Sequence, residues 1–329
     1  QTHGSAPTNL LTYLSLQWYP RFTKANRERT IMFKTRLTEL LGVKYPIIGG
    51  AMAYLSGGKL AAAASNAGGF GLISAVTFSR EELQSEIRLC RKLTKKPFGV
   101  NIALIHRDPR KIEQDMDVVI EEGVNVIETA ALNPEQFVQR LKKKGVTVLH
   151  KCATVRHAQT AERIGVDAVT LVGYDAAGHT GLDDLPLSIM IPQAVDSLKI
   201  PVVAAGGVGD GRGFVAALAL GASGVQIGTR LMASKECPAC DKFKDWLVQT
   251  EATDTVHVER SMNRAYRVRR NEAAEKVLEM EKRGADIFEL LTYIGGEALQ
   301  KVLFEGDVEA GVVACGPVAG LISDIPSVK

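Results

Sequence analysis

A chain of 329 residues that is 46% apolar and 23% charged can bury a large core, as one large domain or two medium ones. Its net charge of +3, with acids and bases interleaved, gives no electrostatic case for nucleic acid or an anionic membrane surface. Apolar runs such as Leu60 to Ala64 are cut long before the roughly 20 residues that a membrane-spanning helix needs.

Residues 1 to 31 hold four basic residues against the single acid Glu28 and carry no periodic pattern. They are expected to be an extension outside the fold, ahead of a start at Met32; a transit peptide is the alternative, although Pro7 and Pro20 spoil an amphipathic helix. From Phe33 onward strands and helices alternate. Pro46 to Met52 reads as a strand, Gly58 to Ala67 as a helix, and Phe70 to Ala75 as a strand. Ser79 with Glu82 forms a capping box that starts a helix over Arg80 to Leu93. Strands over Phe98 to Leu104, Val124 to Thr129 and Val146 to Cys152 follow, separated by helices over Pro109 to Glu122 and Pro134 to Lys144, the latter begun by Asn133. Val155 to Ile164 is helical, Ala168 to Gly173 a strand, Tyr174 to Pro186 a long polar loop, and Ile189 to Leu198 a helix. Val202 to Ala205 then empties into Gly206, Gly207, Gly209 and Gly211 before a helix over Phe214 to Leu220, and Gly224 to Ile227 ends in Gly228-Thr229.

Eight strand-to-helix units with nearly all-apolar strands predict a closed parallel barrel, because both faces of each strand are buried. An open doubly wound sheet is the competitor, but Gly49-Gly50-Ala51-Met52 lacks the G-x-G-x-x-G form and Ala75 stands where the ribose-binding acid would be. The expected fold is therefore α/β, a (β/α)8 TIM barrel with a small helical insertion before the last barrel helix: residues 32–233 plus 305–329 form the barrel and 234–304 a helical cover. In that cover the basic run Arg264-Ala-Tyr-Arg-Val-Arg-Arg270 reads as a solvated helix or strand edge. Cys90, Cys152 and Cys315 lie in apolar contexts and read as reduced thiols of a cytoplasmic protein. Cys237-Pro-Ala-Cys240 has redox spacing, yet lacks the second pair that a structural zinc site wants.

Barrel active sites form at the strands' C-terminal ends, which collects Gly50-Ala51-Met52, Asn101-Ile102-Ala103, Glu128 to Ala130, Lys151, Asp175 to Asp184, Gly206-Gly207 and Gly228-Thr229. Few carboxylates and no His or acid cluster for a metal occur there. Asp183-Asp184 read as caps for the following helix rather than a glycosidase pair. Small residues suit a flat cofactor lying against the backbone, with its phosphate in the last two turns. Lys151 is placed to stabilise negative charge on a reduced flavin; a Schiff-base lysine or an ion pair with Glu128 are its other readings. His179, between Gly178 and Gly181, can exchange a proton with a substrate or can merely bond backbone.

The motifs Tyr45 to Met52, Asn66 to Gly69, Pro97 to Asn101, His150-Lys-Cys152, Ala177-Gly-His179 with Asp183-Asp184, Ala204 to Gly207, Asp210 to Gly213 and Gly228-Thr-Arg230, in this order, resemble the nitronate monooxygenase (2-nitropropane dioxygenase) family over residues 33 to about 325. The His-Lys-Cys and Ala-Gly-His segments are most similar to a branch described as NADH:quinone reductases, and flavin-type enoyl-ACP reductases are further relatives. The resemblance implies FMN held by Gly50, Ala51, Met52, Asn101, Lys151, Ala177, Gly178, Ala205, Gly206, Gly207, Gly228 and Thr229, with His179 and Lys151 catalytic and NAD(P)H a further reductant. It implies a nitronate or quinone as small-molecule substrate, and a monomer or homodimer. A barrel that binds FMN without turnover is the alternative outside catalysis. Ala103, Ala205 and Cys240 depart from the closest branch, which has threonine, serine and histidine there; the lost hydroxyls weaken contacts by about 1 kcal/mol each.

Overall fold

In the computed structural model, which describes residues 33–105 and 108–329, the strands β1 (Ile47–Gly49), β2 (Phe70–Ser74), β3 (Phe98–Ala103), β4 (Val126–Ala130), β5 (Thr147–Cys152), β6 (Ala168–Val172), β8 (Val202–Ala205) and β9 (Gly224–Ile227) close into an all-parallel barrel. Closure is made by β9 against β1, with Ile48 opposite Gln226. The two-residue β7 (Gly178–His179) interrupts the loop between the sixth and seventh barrel strands. Residues 1–31, read as an extension, lie outside the described residues.

Local sequence explains the connecting helices. A capping box of Thr35 and Thr38 starts α1 (Arg36–Leu41), and Ser79 with Glu82 makes the expected box for α3 (Arg80–Leu93). Helix α2 (Gly58–Asn66) lies so close to β2 that a Cβ on Gly71 would stand 2.0 Å from the Ala61 carbonyl oxygen. Helices α4 (Pro109–Glu121), α5 (Glu135–Lys143), α6 (Val155–Ile164), α7 (Leu187–Ser197) and α8 (Gly211–Ala219) follow β3 to β8 around the outside. Asn133 accepts from the Glu135 N–H at 3.0 Å, so it starts α5 from two positions ahead, and Asp210 caps α8 through the Arg212 and Gly213 amides at 2.8 and 3.3 Å. Asp183 and Asp184 do not cap α7, whose N-cap is Pro186; Asp184 has a positive φ of 53° and pairs with Arg260 instead.

The barrel interior changes character along its axis. Ile48, Phe70, Leu72, Val126, Leu149, Ala168 and Val203 pack with Leu37 and Leu41 of α1, which plugs the N-terminal end. Side chains alternate along a strand, so the positions two residues further on face the same interior: Gly50, Ser74, Glu128, Lys151, Thr170 and Ala205. The apolar floor thus gives way to a polar layer just below the C-terminal rim.

The segment expected to be a helical cover is mixed. After α9 (Thr229–Met232) and α10 (Asp241–Val248), β10 (Thr255–Val258) and β11 (Tyr266–Arg269) form an antiparallel ribbon that adds β7 as its third strand, in the order β10-β11-β7. Helices α11 (Glu272–Lys282), α12 (Ile287–Ile294) and α13 (Gly296–Gln300) follow. Among the described residues no α-helix follows residue 305; the chain makes a 3-10 turn at Pro317–Leu321 where a last barrel helix was expected. That turn shares a core with α10, through Phe243, Leu247, Val302, Leu303, Cys315 and Ala319. The basic run is not a solvated edge: Arg267 and Arg269 lie on the central strand, Arg267 is buried, and the Arg269 guanidinium stacks 3.7 Å from the Trp246 ring centroid. All five cysteines are free thiols. No helix of the described residues is long and apolar enough to cross a membrane.

Candidate active site

The loops at the C-terminal ends of the strands surround a cavity of about 1030 Å³. It is lined by every residue expected to hold the cofactor or act on the substrate: Gly50, Ala51 and Met52 after β1, Asn101 on β3, Lys151 on β5, Ala177, Gly178 and His179 around β7, Ala205, Gly206 and Gly207 at and after the end of β8, and Gly228 and Thr229 after β9; Ile102, Glu128, Thr129 and Asp183-Asp184 of the wider strand-end set are not in its wall. Much of the wall is glycine and alanine. A Cβ on Gly50 would come within 3.1 Å of the Ile227 carbonyl oxygen, so backbone itself forms this wall. Gly207 takes φ +63°, and a Cβ there would meet Asp175 Oδ2 at 2.6 Å; glycine is required both for the turn and for the close approach of the loops after β6 and β8. Thr229 Oγ1 accepts from the Gly316 N–H at 3.4 Å, which leaves its hydroxyl proton to be donated into the cavity.

Beneath the cavity lies a residue whose importance the sequence did not convey. Glu128 on β4 is 0% exposed, and four groups from four other strands converge on it. Asn101 Nδ2 donates to Oε2 at 2.6 Å, Gln226 Nε2 to Oε1 at 2.6 Å and Thr170 Oγ1 to Oε1 at 3.3 Å, while Lys151 Nζ stands 3.6 Å from Oε2. The ion pair held open as one reading of Lys151 is therefore present. A carboxylate only accepts, so both amides turn their NH2 groups toward Glu128 and present their carbonyl oxygens elsewhere. The layer offers oriented acceptors and one ammonium to a ligand above it. Gln226 could have been found from its place two residues before the Gly228-Thr229 turn, on a strand otherwise apolar or glycine.

His179 is fixed by the cover. Its backbone faces Tyr266 across the β7–β11 ladder, its ring lies 4.7 Å from the Tyr266 ring, and its Nε2 is 3.4 Å from Arg264 Nη2. A guanidinium only donates, so Nε2 accepts and the neutral ring carries its proton on Nδ1. His179 is exposed at the cavity, but the groups packed around its ring, and then the Arg264 charge, push its pKa down, to about 4, which favours the neutral ring at pH 7. His150, the neighbour of Lys151 on β5, also lines the cavity, with Nδ1 2.8 Å from Thr129 Oγ1; burial lowers it to about 4 as well. The cover also grips the start of the long loop: Arg267 Nε and Nη2 donate to the Tyr174 carbonyl at 3.1 and 2.9 Å, and Thr180 bonds His257 Nε2 at 3.0 Å. Among the described residues no group of His, Cys, Asp or Glu is placed to hold a metal ion.

A barrel with its cavity at the C-terminal rim, glycine-walled and floored by a lysine, agrees with the family comparison, in which the nitronate monooxygenase model matches residues 34–329. The chain belongs to the nitronate monooxygenase family. Members so matched are flavin enzymes, and this one is a flavin-dependent oxidoreductase. The family is not uniform in what its members are named for. The solved structure of FabK from Thermotoga maritima superposes with a TM-score of 0.85 at 37% identity, covering 90% of this chain and 92% of that one. An octahydro-indene-4-carboxyl-CoA dehydrogenase of Rhodococcus jostii is 32% identical over 332 residues, 90% of this chain and 93% of its own. A probable nitronate monooxygenase of Staphylococcus saprophyticus is 36% identical over 265 residues, 68% of this chain and 74% of its own.

Proposed function

We propose that the protein binds FMN in this cavity and oxidises an alkyl nitronate with molecular oxygen. The observation that carries the reading is the convergence of a glycine and alanine wall, the Lys151 ammonium and a neutral His179 on one cavity. The donor set suits FMN: backbone turns at Gly206-Gly207 and Gly228 with the Thr229 hydroxyl for the phosphate, Gly50, Ala51 and Met52 with Ala177, Gly178 and Ala205 against the ring, and Asn101 and Lys151 from below. FMN, when bound there, would supply the two-electron redox chemistry between substrate and oxygen. The protein's own part is to place the substrate, exclude water and keep positive charge near the reduced ring. Nε2 of His179 faces the Arg264 guanidinium, so the ring serves to hold and orient rather than to take a proton. That favours a substrate that arrives already anionic, such as a nitronate, over a neutral nitroalkane that must first lose a proton.

A second reading is oxidoreduction of an acyl thioester, as the name of the Rhodococcus relative suggests. It is favoured by cavity size, since about 1030 Å³ lies at the top of the roughly 300–1,000 Å³ of ordinary ligand pockets, and by the exposed Ile105, Leu132 and Leu182 among the lining residues, which would accept a bulky apolar group. NAD(P)H as electron donor, with a quinone as acceptor, is the remaining alternative. The free, mostly buried cysteines fit the proposed cytoplasmic setting. The test is to load the protein with FMN and measure oxygen uptake with propyl-2-nitronate and NADH oxidation on one sample. Uptake with the nitronate supports the reading. Rapid NADH oxidation without a nitronate response overturns it, and a colourless protein that takes up no FMN overturns the enzyme altogether.

A further inference from the structure

Among the described residues the cavity lining holds two cations, Lys151 and Arg264, and they are not equivalent. Lys151 is committed to the buried Glu128. Arg264 reaches the cavity from the turn before β11, and its side chain is 43% exposed. Its Nε stands 3.1 Å from Oε2 of Glu259, a carboxylate only 4% exposed, yet that oxygen has no aligned hydrogen bond. Its Nη2 is directed at His179 Nε2 over a long 3.4 Å. Of the five N–H groups of a guanidinium, two are therefore spent on weak or misaligned contacts and the others are left for a ligand. Glu259 itself sits at φ +67° on the turn, with its N–H bonded to Glu281 Oε2 at 2.9 Å, so its backbone is anchored within the cover.

We propose that Arg264, held between Glu259 and the His179 ring, is an oxyanion clamp of the cavity that takes the paired oxygens of a small planar monoanion. A planar fork of donors matches two oxygens of one group, which a point-charge ammonium does not. His179 then acts as a positioning residue: its neutral ring, stacked near Tyr266, holds the guanidinium without adding a competing charge. The basic run of the cover thereby divides its work, with Arg267 and Arg269 bracing the ribbon and Arg264 serving the site. The proposal rests on the reading above for the identity of the anion, but the clamp itself depends only on charge and shape.

Isothermal titration calorimetry with sodium nitrate, a bare planar monoanion, tests the clamp without turnover, and isobutyrate against propyl-2-nitronate separates a carboxylate from a nitronate as the preferred form. Wild-type protein should bind nitrate, Arg264→Gln should weaken it at least tenfold, and Arg264→Lys should fall between, all with unchanged FMN affinity. In turnover the loss should appear in KM for an anionic substrate more than in kcat. Should Arg264→Gln misfold because Glu259 is left buried and uncompensated, Arg264→Gln with Glu259→Gln removes that charge and answers the same question. Equal nitrate binding in wild type and variant, or none in wild type, overturns the clamp. Arg264-dependent binding without nitronate turnover would sustain the clamp and overturn the nitronate reading; turnover with Arg264-independent binding would do the reverse.

Discussion

Replacing Glu128 by alanine would strand Asn101, Gln226 and Thr170 without their acceptor and leave the Lys151 ammonium without its partner, all at a site with no exposure. Breaking a buried pair from one side costs on the order of 3–5 kcal/mol, so a large drop in the urea midpoint is expected together with weaker FMN binding. Glu128→Gln keeps the volume but must turn at least one neighbouring amide, and should lose FMN affinity with a smaller stability cost. Equal stability of Glu128→Ala and wild type would remove the network from the account of the site. His150 carries a second residue-scale expectation. Its pKa falls from 6.5 to about 4 on folding because the charged ring cannot be buried, so the unfolded chain takes up the proton first. Stability is then constant above about pH 6.5 and falls as pH drops from there toward 4. Denaturant titrations at stepwise pH should show this slope reduced in His150→Leu, and an unchanged slope would contradict it. Lys151 was legible because it ends an apolar strand, and His179 because it stands between Gly178 and Gly181; Glu128 was legible as an ion-pair partner of Lys151, but not as the acceptor on which Asn101, Gln226 and Thr170 also converge.

At the scale of elements, the contact between α2 and β2 depends on the missing side chain at Gly71. Gly71→Ala places a methyl 2.0 Å from the Ala61 carbonyl oxygen, and overpacking of this kind costs about 1–3 kcal/mol. A lower melting temperature is expected, with FMN affinity retained in the protein that remains folded; a melting temperature equal to wild type would mean that the helix can lift at no cost. The start of α3 was readable because its signal is local, Ser79 with Glu82 acting within one turn, whereas the helix read from Phe214 begins three residues earlier, at Gly211, behind the Asp210 cap. The ribbon of β10, β11 and β7 was not readable. Its strands are short, β11 alternates arginine with apolar residues in a way that imitates a solvated edge, and its third strand comes from a distant loop. Pairing across such a separation is decided by tertiary context rather than propensity.

For the whole molecule, the barrel followed from the alternation of eight apolar strands with helices, together with the missing G-x-G-x-x-G form that an open doubly wound sheet would carry. The cover escaped because its purpose is to brace a loop, and bracing uses arginines: Arg267 on the Tyr174 carbonyl, Arg269 over Trp246 and Arg264 beside His179. Its consequence is that His179 is positioned by two parts of the fold at once. His179→Ala should accordingly keep the yellow colour of bound FMN and lose turnover, measured as flavin absorbance and oxygen uptake on one sample; loss of colour would make the residue structural.

The most direct measurement is anaerobic mixing of FMN-loaded protein with propyl-2-nitronate, and separately with NADH, while flavin absorbance is followed. Rapid bleaching by the nitronate, reversed on admitting oxygen, is the expected result. Bleaching by NADH alone, with no response to the nitronate, would contradict it.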